Sequence, residues 1–463
     1  MATVTTHLPP ARDHCLAPAR SLDAPLVYGG KYDRLFPELA PLAGDETLLL
    51  ELGYAGGLCD GSGASGDPGC DDAAGAAGWP LFGQFVAHDI TADRSSLQEH
   101  ADPLLIRNFR TPRANLECLY GAGPAGSPFL YDRDDPAKLL LGENDAGRPD
   151  DLPRNRQGIA LVGDPRQDVH LFMSQLHLAM LKLHNGLVDR LREDGVPEGE
   201  LFGEACRAAR WHYQWVLVHD FLPRAVGEEL MADLLASGPR FYRPKGEPFI
   251  PFEFADAAYR YGHSQIRHAY RLNHRDAEYP LFPDLVGFRP VPAERVVDWS
   301  YLFELPGGGQ PQPAKRIDGR LPASLIQLPR EITGEVEVVE YHSLAVRDLQ
   351  RGHALGLPSG EAVADRMGEL PLDPDEIGLR AGGWRGDTPL WFYLLKEAEV
   401  RTDGERLGPV GGRIVAEVLL GIVDGDPDSF RAADPGWRPT LPAAEPGRFT
   451  LADLLGFAVA QAG

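Results

Sequence analysis

The sequence predicts a mainly α-helical protein with long irregular connections and little strand. Apolar residues recur at helical spacing in many separate stretches, as at Leu176, Met180, Leu183 and Leu187. The 52 glycines and 41 prolines are numerous and aperiodic, which points to irregular connections rather than to a repeat. Alternating apolar and polar residues are scarce, and Glu335-Val336-Glu337-Val338-Val339 is the best candidate strand.

Residues 1–25 read as an extended tail and 26–463 as a single domain, because helices and loops interleave throughout and no linker separates two cores. Residues 54–78 form a loop rich in Gly and Asp, closed by a helix over 80–89 in which Pro80 suits the first turn. Residues 101–165, dense in Pro, Gly and Asp, read as irregular structure with short helices. A long helix follows over 174–190, then one over 203–221 carrying Trp211, Trp215 and Val218. Further helices are expected at 225–236, 254–271, 340–354, 359–368, 388–399, 410–422 and 450–460.

Composition narrows the function. With 45 Lys and Arg against 68 Asp and Glu, the formal charge is −23, and 43% of residues are hydrophobic. That is an ordinary globular balance, which excludes a largely disordered chain. The negative charge repels polyanions, so neither nucleic acid nor an anionic membrane is an expected partner. No stretch approaches the roughly 18 apolar residues of a membrane span. The N-terminus lacks a basic and then an apolar region, so the protein is expected in the cytoplasm, or exported without a recognisable signal. The five cysteines (Cys15, Cys59, Cys70, Cys118 and Cys206) form no CxxC pair, disulfide framework or zinc site. Cys59 and Cys70 flank a Gly-rich loop and could bridge, although free thiols are the simpler reading.

Four segments could carry chemistry. In Trp79-Pro80-Leu81-Phe82-Gly83-Gln84-Phe85-Val86-Ala87-His88-Asp89, Gln84 and His88 share one face of an otherwise apolar helix. Burying such a pair is costly unless something polar meets it. In Gly163-Asp164-Pro165-Arg166-Gln167-Asp168, Arg166 is either a surface charge or a fixed cation aimed at a developing negative oxygen. In Phe252–Ile266, Gly262 directly precedes His263 in an aromatic-rich helix, and a glycine there lets a flat ligand approach the backbone. In Ser343–Pro358, Asp348 and Arg351 lie three apart, as in an ordinary intrahelical ion pair. Taken singly, each segment is read equally well as plain structure.

Together and in this order, the four segments resemble the peroxidase–cyclooxygenase superfamily, the animal haem peroxidases, and bacterial members most of all. The resemblance spans about residues 79–430 and extends to Tyr120-Gly121, Leu183-His184-Asn185, Leu407-Gly408-Pro409 and Asp424-Gly425-Asp426. It implies the helical fold of that family and a haem-dependent peroxidase. Such an enzyme reduces hydrogen peroxide through a ferryl intermediate and oxidises a small-molecule electron donor. Residue by residue, it makes His88 the general base and acid, Gln84 the holder of a distal water or halide, and Arg166 the cation that stabilises charge as the O–O bond breaks. His263 becomes the axial iron ligand, Asp348 its hydrogen-bond acceptor, and Arg351 a neighbour of a haem propionate.

Departures from the family pattern refine this expectation. Asp348 stands where many members carry Asn; a carboxylate there pushes the imidazole toward imidazolate and lowers the iron's reduction potential. Ala87 and Val169 stand where mammalian members carry the carboxylates that esterify haem. The implied cofactor is therefore haem b held without, or almost without, covalent bonds. The implied donors are phenols and other small organic molecules, or iodide and bromide, rather than chloride. The resemblance also implies a calcium site formed by Asp89, Thr111, the Arg113 carbonyl, Asn115 and Glu117. Arg260 replaces the tyrosine that cyclooxygenases carry three residues before the axial histidine, and Tyr259 and Tyr261 point elsewhere on a helix. A tyrosyl-radical dioxygenase is thereby disfavoured. Two other readings stay open: a haem-dependent oxygenating or coupling enzyme of a dedicated pathway, and a non-catalytic binding or adhesion protein of the same fold.

Overall fold

The structure is a computed structural model and describes residues 30–62, 71–92, 107–275, 277–336 and 338–460. The expected tail at 1–25 and Cys70 lie outside the described residues. Ten helices of eight residues or more organise what is described: α1 (Glu46–Gly53), α2 (Gly78–Ile90), α3 (Leu171–Glu193), α4 (Glu198–Val216), α5 (Glu228–Ser237), α6 (Leu344–Ala354), α7 (Gly360–Met367), α8 (Leu390–Thr402), α9 (Pro409–Asp424) and α10 (Leu451–Ala460). α2 to α10 match expected helices, with ends displaced by a few residues, whereas α1 is not among those expected. The fold is mainly α, as the periodicity predicts. None of these helices is long and apolar enough to cross a membrane.

Local chemistry explains the helices nearest the site. α2 opens on Gly78, where a side chain would collide with the Phe303 ring and the Leu302 carbonyl, 2.3 and 2.5 Å from an ideal Cβ. The bare backbone lets the helix start directly against that turn. Pro80 sits in the first turn, where its missing N–H removes no helical bond. α3 is capped by the His170 side chain, which accepts from the Met173 N–H, and ends with Arg190 and Arg192 against its carbonyl end. α6 is capped by Ser343, whose hydroxyl also donates to the Gly53 carbonyl at 2.6 Å and so ties α6 to the end of α1.

α3 and α4 pack against each other, and α10 covers α3. α4 continues into one π turn, Leu217–Phe221. That turn places Phe221 against Trp79 and Phe82 of α2, while Tyr213 of α4 meets Phe82 and Phe85 edge-on. The face of α2 that turns away from its polar pair is therefore buried against aromatics. On the other side, α6 packs between α1 and α8, and α8 against α9. Strand is confined to short pieces: a three-stranded ladder ordered β3 (Arg107–Asn108), β1 (Gly30–Asp33), β4 (Phe249–Pro251), and the antiparallel pairs β2 (Asp72–Ala76) with β7 (Pro313–Lys315) and β5 (Ala269–Arg271) with β6 (Glu278–Pro280).

Two expectations are corrected. The helix expected over 254–271 is instead one α turn (Phe252–Ala255), a 3-10 turn (Ala258–His263) and β5. The chain leaves helical geometry at Ala257 (φ −141°, ψ −77°), and the Asp256 carboxylate is captured by Arg260 and Arg351. The strand expected at 335–339 is absent among its described residues. Val338 is irregular and Val339–His342 is a 3-10 turn that leads into α6, while Glu337 lies outside the described residues. Without a neighbouring strand to take its N–H and C=O groups, an alternating run of this length has no reason to extend.

Candidate active site

A cavity of about 330 Å³ lies between α2 and the 252–266 segment. Gln84, His88, Arg166 and His263, brought from three separate parts of the chain, all line it. Its remaining wall is mostly apolar, with Phe254, Ile266, Phe282, Leu325, Leu328 and Leu344 among the contributors.

His88 is buried, and its Nδ1 has no hydrogen-bond partner among the described residues. Burial first, and then the charge of Arg166, hold the ring well below the ordinary histidine pKa, so it is neutral at pH 7. The Gln167 carboxamide lies beside it, itself fully buried. Arg166 is aimed from behind. Its Nε donates to Asp164 at 3.0 Å, and its Nη2 donates to Asp164 at 2.8 Å, to the His88 carbonyl at 3.0 Å and to the Thr91 carbonyl. Nη1 is left without a partner among the described residues. Asp164 also takes Arg110 at 2.7 Å. Burial opposes its charge, but the two guanidinium groups hold it well below the usual carboxylate range. Gln84 is engaged through its oxygen by His170 Nε2 at 2.9 Å.

On the other wall, His263 Nδ1 meets Asp348 Oδ2 at 2.7 Å, which leaves Nε2 as the ring's lone-pair nitrogen. Asp348 is completely buried, and its other oxygen takes Arg260 Nη1 at 2.7 Å. Burial works against that carboxylate, but His263 and Arg260 prevail and lower its pKa. Arg260 is thus an unforeseen member of the site: it shares the negative charge that would otherwise fall on His263 alone. A side chain at Gly262 would meet only Pro80, at 3.8 Å, so the backbone beside His263 is open to a flat ligand.

Two expectations change here, and one unexpected residue joins the wall. Arg351 does not line the cavity; its Nε pairs with Asp256 at 2.7 Å, behind Arg260. Tyr259 and Tyr261 do line it, because residues 259–263 run along the wall as a 3-10 turn rather than rotating away on an α-helix. His170 lines it as well. Its only sequence signal was a histidine four residues after Arg166, at the start of a helix. Ala87 and Val169 are both on the wall, and neither can form an ester. The neighbouring carboxylate, Asp168, is spent on Arg154 at 2.6 and 2.9 Å.

The residues therefore suit haem: a largely apolar cavity, an imidazole with one free nitrogen and a buried anchor, and a neutral base on the facing helix. Beside α2, four of the five expected calcium ligands share one loop of contacts. Asp89 accepts from the backbone of Leu116 and Cys118, Glu117 accepts from Thr111, and Asn115 bonds both Thr111 and Glu117. Burial first, and then the charge of Glu117, push Asp89 up to about 6 against the backbone N–H groups and Arg110, which stands 3.6 Å from Glu117. These are hard oxygen donors of the kind calcium takes. They include only two carboxylates, and no group of three or more His, Cys, Asp or Glu is arranged for a metal among the described residues.

The sequence profile of the family described as animal haem peroxidase matches residues 128–362, just over half of the chain. The chain belongs to the animal haem peroxidase family. The matched stretch contains Arg166, His263 and Asp348, while α2 precedes it. Thyroid peroxidase of Sus scrofa is 26% identical over 300 residues, covering 59% of this chain and 31% of that one. The chain thus spans about a third of that relative. Peroxidase A from Dictyostelium discoideum superposes with a TM-score of 0.67 at 14% identity, covering 94% of both chains. The fatty acid alpha-dioxygenase of Oryza sativa superposes at 0.60 and 14% identity, covering 93% of this chain and 77% of that one. At such identities the two structures speak for the shared helical fold.

Two predictions follow from the geometry of this haem peroxidase family site. Asp348→Asn keeps an acceptor for His263 but removes its charge. A charged acceptor is worth about 1.5 kcal/mol more than a neutral one, so spectroelectrochemistry of the haem-loaded variant should show a potential raised by about 60 mV. Secondly, burial lowers His170 and His177 to about 3 and His184 and His212 to about 4. Each is neutral when folded and takes a proton when unfolded below pH 6.5. Their contribution is full above pH 6.5 and is lost as pH falls toward 4, by about 1.4 kcal/mol per histidine one pH unit below the unfolded value. Unfolding midpoints measured from pH 7.5 to 4.5 should fall accordingly.

Proposed function

We propose that the protein is a haem peroxidase that reduces hydrogen peroxide and oxidises small organic donors, or iodide and bromide. The observation that carries this reading is one cavity holding a neutral His88 and a back-anchored Arg166 on one wall and an Asp348-anchored His263 on the other. A binding or adhesion protein gains nothing from that arrangement.

Bound through His263, haem b would supply the iron at which peroxide is reduced and donors are oxidised. The chain does the rest. His88 takes the proton from the near oxygen of peroxide and returns it to the departing oxygen, which leaves as water. Its depressed pKa keeps it a base well below pH 6.5. Arg166 holds Nη1 toward the charge that builds as the O–O bond breaks. In total, peroxide accepts two electrons and two protons and becomes two waters, with the donor supplying the electrons. The largely apolar wall would limit water around a bound haem, and Ala87 and Val169 would leave it held by ligation and contact alone. The calcium ion would be held by Asp89, Thr111, the Arg113 carbonyl, Asn115 and Glu117, where it would brace the end of α2 immediately after His88.

A haem-dependent oxygenating or coupling enzyme is a second reading, favoured by Tyr259 and Tyr261 on the cavity wall. Oxygen uptake without added peroxide separates the two.

The primary test is the optical spectrum of the haem-loaded protein before and after one equivalent of hydrogen peroxide. A Soret band that shifts within milliseconds is expected. His88→Ala should keep the band and slow the peroxide reaction by 10²–10⁴-fold, on the order expected for one general acid–base group. Absence of any Soret band after haem addition would end this reading. Chelation by EGTA should lower the unfolding midpoint, and calcium should restore it, by about 2.7 kcal/mol at a hundred times its Kd. Glu117→Gln should blunt both responses.

A further inference from the structure

His170 sits at the N-cap of α3 with extended backbone (φ −152°, ψ 164°), 4% exposed, and lines the cavity beside Gln84, His88 and Arg166. Its two ring nitrogens have fixed and opposite tasks. Nδ1 faces the Met173 N–H at 3.4 Å, the longer arm of a bond that the same N–H also makes to the His170 carbonyl at 3.0 Å, so in the neutral ring Nε2 carries the proton. Nε2 therefore donates to the partner 2.9 Å away, which settles the orientation of the Gln84 carboxamide: its oxygen faces His170 and its NH2 is turned away. The reverse orientation would need a proton on Nδ1, directed at the Met173 N–H. Among the described residues nothing accepts from the Gln84 NH2, and nothing accepts from Arg166 Nη1. The distal wall thus presents two spare donors and one neutral base.

We propose that His170 is a positioning residue that locks Gln84 as a hydrogen-bond donor and so tunes the distal pocket for a small, lone-pair-rich occupant such as fluoride or a peroxide oxygen. The proposal rests on the haem reading and narrows it to one side chain. A capping role alone predicts a different result, because the cap and the Gln84 contact use different nitrogens of the ring.

The test is fluoride binding to the ferric, haem-loaded protein, followed by optical titration at pH 7 together with the unfolding midpoint. His170→Asn keeps a good N-cap but is too short to reach Gln84. It should leave the midpoint within a few degrees and weaken fluoride by about tenfold. His170→Gln, long enough to donate to Gln84, should recover most of that affinity. Gln84→Leu should weaken fluoride as much as His170→Asn does, and the double variant should lose no more. Equal fluoride affinity in His170→Asn and the parent protein would overturn the proposal, as would additive losses in the double variant. If His170→Asn fails to fold, Gln84→Leu with unchanged affinity overturns it alone. A parent protein that takes up no haem would sink the haem reading instead, and is told apart by the missing Soret band.

Discussion

One carboxylate, Asp348, holds the proximal half of the cavity together. It is fully buried, yet it stays charged because His263 takes one oxygen and Arg260 the other. Removing either partner would leave a charge in a low-dielectric setting, at a cost of several kcal/mol. The carboxylate is carried by α6, whose start is tied to α1 through Ser343 and the Gly53 carbonyl. The orientation of His263, at the end of a 3-10 turn, is therefore set by α6, which reaches the cavity wall at Leu344, and through it by α1. A second acidic residue, Asp256, bonds Arg260 and Arg351 and closes the network behind the site. Arg351 stabilises the site from this outer position rather than from the cavity wall.

The distal half obeys the same rule with different groups. Arg166, Gln84 and His88 each face the cavity, and the first two are fastened through atoms on the far side: Arg166 by Asp164 and two carbonyls, Gln84 by His170. What reaches the cavity is what the anchors leave over. Anchoring from behind keeps these groups in place without an occupant, so little reorganisation is needed when charge develops between them. Asp164 also receives Arg110, which stands beside Glu117. The loop of expected calcium ligands and the distal arginine are thereby joined through a single carboxylate.

Much of this was legible in the sequence. The long helices declared themselves by periodicity, because each has an apolar stripe to bury. His88, Arg166 and His263 were legible only as a set, since any one of them alone reads as ordinary structure. The segment 254–271 misled because its alanines and arginines favour helix, while the tertiary capture of Asp256 by Arg260 and Arg351 breaks it. The run 335–339 misled because alternation alone supplies no ladder partner. The parts played by Arg260, read only as the replacement of a tyrosine, and by His170 escaped notice for a common reason: they depend on which distant side chain meets each nitrogen, and no spacing rule encodes that.

The absence of ester-forming carboxylates at Ala87 and Val169 bears on how such a site can work at all. A haem fixed only by one axial bond and apolar contact gains its stability from burial, and the cavity wall offers Phe254, Phe282, Leu325, Leu328 and Leu344 for it. Under the proposed reading, a haem without ester bonds would leave the electronic character of its iron to His263, and hence to how Asp348 divides itself between His263 and Arg260. A lone aspartate would make His263 strongly electron-donating. Arg260 draws part of that charge away, so in a haem-loaded site the pair would set a balance between a ligand basic enough to favour O–O cleavage and one that still allows electrons to be taken from a donor.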